Sequence, residues 1–73
     1  MALTLSELRE EAARLHRAGD MDKAARAYAA YLARAPKDAG IWSNLGALHR
    51  AQGRHVMALR AHQRARLHSP DDV

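Results

Sequence analysis

The chain is 73 residues long, room for one small domain, and carries 12 Lys+Arg against 8 Asp+Glu for a formal net charge of +4. Cysteine is absent, which excludes disulfides, thiolate metal sites and cysteine nucleophiles. No run nears the roughly 18 uninterrupted apolar residues of a membrane span, and 17 of the apolar positions are alanine, so close helix packing or a partner has to stabilise the fold.

Ala, Leu, Arg and Glu dominate and favour helix, while the β-branched residues are only Thr4, Ile41, Val56 and Val73. Sheet is therefore not expected. The first helix is predicted to start at Thr4, where T-x-x-E with Glu7 forms a capping box and Leu3 and Leu8 sit at staple positions. Glu7, Glu10 and Glu11 complement its positive start, and Arg14 and Arg17 its negative end. Gly19 is placed to end it in the left-handed conformation. The second helix runs from about Asp20 to Ala35 and stops at Pro36. Asp38 caps the third, which ends near Gly53, and the fourth ends before Ser69-Pro70. The short connections make neighbouring helices antiparallel.

The punctuation repeats. The step from Gly19 to Gly53 equals the step from Pro36 to Pro70. Sliding residues 5–38 onto 39–72 gives seven identities: Ala13/Ala47, Gly19/Gly53, Ala24/Ala58, Arg26/Arg60, Ala27/Ala61, Pro36/Pro70 and Asp38/Asp72. Matches among alanines are cheap in this composition; the Gly, Pro and Asp pairs fall at the turns, where a helical hairpin needs them.

In period and signature the sequence resembles the tetratricopeptide repeat, a helix–turn–helix unit of about 34 residues. The second copy carries Trp42, Leu45, Gly46, Gly53, Ala58, Ala65 and Pro70, and the first carries Leu8, Ala12, Leu15, Gly19, Ala24, Tyr28 and Pro36. The resemblance implies an all-α fold of four helices in two stacked antiparallel hairpins, with repeats at 5–38 and 39–72. The expected core is Leu8, Ala12, Leu15, Ala24, Tyr28, Tyr31, Trp42, Leu45, Gly46, Ala58 and Leu59. The small residues Ala12, Gly46, Ala24 and Ala58 would let helices approach closely, and a bulky side chain at Gly46 would overpack the hairpin. The sequence departs from the family pattern at Glu11, which stands where Leu is usual, and at His49, which replaces Tyr. His62, Arg66 and His68 stand where packing side chains are usual in the last helix. Two repeats without a polar closing helix suggest a module or fragment of a longer protein.

In this family the first helices of successive repeats line a concave groove, which by resemblance would carry Arg9, Ala13, His16, Arg17, Asn44, Ala47 and Arg50. A basic groove suits an acidic or carboxylate-ended peptide, because guanidinium grips carboxylate through paired hydrogen bonds. The carboxylate clamp of the chaperone-binding members is incomplete: Arg9 and Asn44 fit two places, Ala13 occupies a third, and a third repeat is missing. Charge is uneven as well. From Ala39 to Pro70 there is no acid, only five arginines, with Arg60 and Arg64 one turn apart as a basic convex stripe. Such a stripe would attract nucleic acid, yet no aromatic side chains are interleaved with it for stacking. A solvated arginine face touching an acidic partner explains it more simply.

The histidines offer no i,i+4 pair and no H-E-x-x-H, so no metal or other cofactor is expected. Glu10 and Glu11 are adjacent and point about 100° apart on a helix, so they do not converge as an acid/base pair. No phosphate-binding glycine loop is present. The expected function is thus non-catalytic protein–protein recognition of a peptide, helix or neighbouring domain. The alternative is self-assembly through the open last helix around Val56, Leu59 and Leu67, giving a homo-oligomer. The early acid at Glu7 argues against a signal peptide, and a cytoplasmic location without membrane partners is expected.

Overall fold

The computed structural model describes residues 3–69. These form four helices and no strand among the described residues: α1 (Leu5–Arg17), α2 (Met21–Arg34), α3 (Ala39–Ala51) and α4 (His55–His68). The chain divides at the Pro36–Lys37 bond into two compact units. In the first, α1 packs on α2; in the second, α3 packs on α4. The roles assigned to Pro70 and Asp72 lie outside the described residues.

Local chemistry sets the helix ends. Thr4 Oγ1 accepts from Glu7 N–H at 3.1 Å, and Glu7 Oε1 accepts from Thr4 N–H at 2.9 Å, which completes the capping box. The bond from Thr4 N–H favours the ionised carboxylate, so the backbone and then the hydroxyl of Thr4 hold Glu7 below its ordinary pKa. Asp38 caps α3, its Oδ1 accepting from Ile41 N–H at 3.2 Å. Asp20, at the same place before α2, makes no side-chain cap bond.

Both first helices end in one motif. Gly19 N–H donates to His16 C=O at 3.1 Å and Asp20 N–H to Leu15 C=O at 2.9 Å; Gly53 N–H donates to Arg50 C=O at 3.0 Å and Arg54 N–H to His49 C=O at 2.9 Å. Every donor and acceptor of the first turn recurs at one constant offset in the second. This is the Schellman arrangement, which needs a left-handed residue after the helix. Gly19 (φ 83°) and Gly53 (φ 77°) supply it at no steric cost.

Small side chains alternate with large ones at the helix contacts. In the first unit Ala12 and Ala24 are fully buried, with Ala25, Tyr28, Tyr31 and Leu32; in the second, Ile41, Leu45, Leu48, His49, Ala58 and Ala61 are buried, as is Gly46. Leu8, Leu15 and Trp42 are half-buried. Leu59 corrects the expected core, because it is 59% exposed. Successive helical residues turn by about 100°, so the rotation that brings Ala58 and Ala61 against α3 carries Leu59 to the far side.

Candidate interaction surfaces

On α1, Arg9 and Arg17 are exposed and Ala13 is half-buried on the same side of the helix. His16 belongs to this set by spacing, but its ring turns into the hairpin. Its Nδ1 lies 3.2 Å from the Tyr28 hydroxyl, and the two rings meet edge-on with centroids 5.9 Å apart. Burial pushes the Tyr28 phenol above its ordinary pKa, keeping it protonated as a hydrogen-bonding group. His16 therefore braces α1 on α2 as well as bordering the α1 surface.

Elsewhere on α1, Leu3, Glu7, Glu10, Glu11 and Arg14 rim a shallow recess. Arg14 grips Glu11 with two hydrogen bonds, Nε to Oε1 at 3.0 Å and Nη2 to Oε2 at 2.5 Å, and this bond lowers the Glu11 pKa. Arg34 of α2 donates to the Leu3 carbonyl at 2.8 Å, tying the segment before α1 to the end of α2. The acidic residue that departs from the repeat pattern is thus satisfied within its own helix.

On α3, Asn44, Ala47 and Arg50 are all exposed. The opposite side of α3 meets α4 and holds the one buried polar side chain among the described residues, His49, at 5% exposure. Its Nδ1 has no hydrogen-bond partner within the protein. Burial pushes the His49 pKa down, and the positive charge of Arg54 adds to this. His49 is therefore neutral near pH 7. Its departure from the family pattern was visible in the sequence; its burial was not, since histidine is usually only partly buried.

Beside His49, between α3 and α4, lies a recess of about 260 Å³ lined by Trp42, Leu45, His49, Met57, Arg60, Ala61 and Arg64. The Arg64 guanidinium stands 5.8 Å from the centroid of the Trp42 ring, within cation–π range. Arg60 and Arg64 are thus not a uniformly solvated stripe, because Arg64 covers an aromatic face. No sequence signal marks this contact, which joins two different helices and depends on how α3 and α4 are rotated. None of the described helices is long and apolar enough to cross a membrane.

Paired helices closed by turns that recur at one fixed interval, with small residues at the crossings, define an α-helical repeat protein. The family model for the tetratricopeptide repeat matches residues 5–48, more than half of the chain. The chain belongs to the tetratricopeptide repeat family. No curated protein and no solved structure gives a significant match. The family is a non-catalytic scaffold fold whose repeats generally mediate protein–protein interaction.

Proposed function

We propose that the chain is a non-catalytic recognition module that binds an acidic or carboxylate-ended peptide through the exposed faces of its first helices, α1 and α3. We take residues 5–38 and 39–72 as its two repeats, which the matched turn hydrogen bonds at Gly19 and Gly53 support. The observation that carries the binding assignment is the chemistry of the outward sides. Arg9 and Arg17 on α1, and Asn44 and Arg50 on α3, are exposed beside the small Ala13 and Ala47. Two helices whose other sides are held by packing offer these groups at low entropic cost. Arginine supplies paired donors to carboxylate, and the amide of Asn44 supplies donors to a peptide carbonyl.

The test uses the whole chain against fluorescent peptides ending in free or amidated carboxylate, with acidic and basic sequences compared. Acidic, carboxylate-ended peptides are expected to bind, and Arg9→Glu with Arg50→Glu is expected to weaken them by an order of magnitude or more (about 1.4 kcal/mol per tenfold). Binding that ignores both substitutions would reject this assignment of the binding faces.

A further inference from the structure

Among the described residues, the large apolar side chains left exposed are Leu3, Val56, Met57, Leu59 and Leu67, and all but Leu3 lie on α4. Val56, Leu59 and Leu67 are 66%, 59% and 71% exposed. With Gln63 they recur at spacings of three and four residues, so they share one side of the helix within an arc of about 80°. This side lies opposite Ala58 and Ala61, which are buried. Arg60 borders the stripe on one edge and Arg66 on the other, and both are exposed. Between residues 39 and 69 there is no Asp or Glu, so nothing on α3 or α4 neutralises them.

We propose that this stripe of α4 docks an acidic amphipathic helix of a protein partner. The partner's apolar side chains, spaced by three and four residues, would lie against Val56, Leu59 and Leu67. Carboxylates flanking them would meet Arg60 and Arg66. A helix suits the surface because a straight stripe three turns long is matched along its length by a second helix of the same periodicity. Charge excludes the simplest rival. When one α4 pairs with another, in either orientation, arginine edges meet arginine edges, and no acid among residues 39–69 relieves the repulsion. A nucleic acid would satisfy the arginines but leave three apolar side chains against phosphate and water. This surface is separate from the α1 and α3 faces assigned above, so either assignment can fail alone.

The experiment measures fluorescence anisotropy of a labelled heptad peptide with leucine at its a and d positions and glutamate at e and g. The glutamates also keep the peptide from pairing with itself. A twin peptide has lysine at e and g. The full chain is expected to bind the glutamate peptide and not the lysine twin. Leu59→Ser with Leu67→Ser is expected to weaken binding about tenfold or more, since each leucine loses a substantial apolar burial. Both sites are exposed, so helicity by circular dichroism stays at the parent value. Arg60→Glu with Arg66→Glu is expected to exchange the preference between the two peptides. Equal binding of the twins, or indifference to the serine pair, overturns the proposal. A dimer in sedimentation velocity that the serine pair dissociates would assign the stripe to a second copy. Binding of a DNA duplex that competes with the glutamate peptide and survives the serine pair would assign it to polyanions.

Discussion

Gly46 opens the contact between α3 and α4 to a single-atom test. A Cβ built there stands 2.8 Å from Cε1 and Nε2 of His62 and 3.0 Å from its Cδ2. Ordinary carbon contacts lie at about 3.5–4.0 Å, so the ring has to withdraw by about 0.7 Å or α3 and α4 have to part. Overpacking of this kind costs about 1–3 kcal/mol. Against it, replacing glycine by alanine in a helix interior gains about 1 kcal/mol of propensity. Gly46→Ala should therefore cost about 0–2 kcal/mol in the parent chain. In a His62→Ala background the ring is gone and the same substitution should stabilise by about 1 kcal/mol, a coupling of about 1–3 kcal/mol. Urea denaturation of the four chains, followed by far-ultraviolet circular dichroism and Trp42 fluorescence, measures each corner of the cycle. If Gly46→Ala changes stability equally with and without the His62 ring, the contact does not govern the hairpin and the reasoning fails.

The remaining predictions concern charge and local geometry. His49 has a folded-state pKa lowered by burial, so between its folded pKa and the ordinary value of about 6.5 the unfolded chain binds more protons. Stability should be full above that ordinary value and fall as pH drops from about 6.5 to the folded pKa, by no more than about 1.4 kcal/mol per pH unit; urea midpoints read through Trp42 should show this, and His49→Phe should flatten the profile. Gly19→Ala and Gly53→Ala force a side chain to φ 83° and 77° with no clash at the Cβ itself. Each should lower the urea midpoint by the equivalent of about 1–2 kcal/mol, from backbone strain alone. Thr4→Ala removes the hydroxyl that accepts from Glu7 N–H and should cost about 1 kcal/mol, with hydrogen exchange accelerating first at the amide of Glu7.

The helices and turns were legible because their causes are local. The Thr4–Glu7 box and the Asp38 cap each involve residues three apart, and the Gly19 and Gly53 turns close within five positions, so residue type and spacing suffice to read them. The constant offset between the two turns then duplicates the reading. Which side chains meet between helices was not legible in the same way. That depends on how each helix is rotated against its neighbour. Ala58 and Leu59 were both expected in the core. On α4 the close approach to α3 takes the small Ala58 and Ala61, and the rotation that buries them leaves Leu59 exposed. The same rotation buried His49, set the His62 ring beside Gly46 and brought Arg64 over Trp42. Sequence alone determined the helices, their ends and the matching of the two turns; only the packing of α1 on α2 and of α3 on α4 decided which faces remain open, because close contact weighs side-chain size together with polarity.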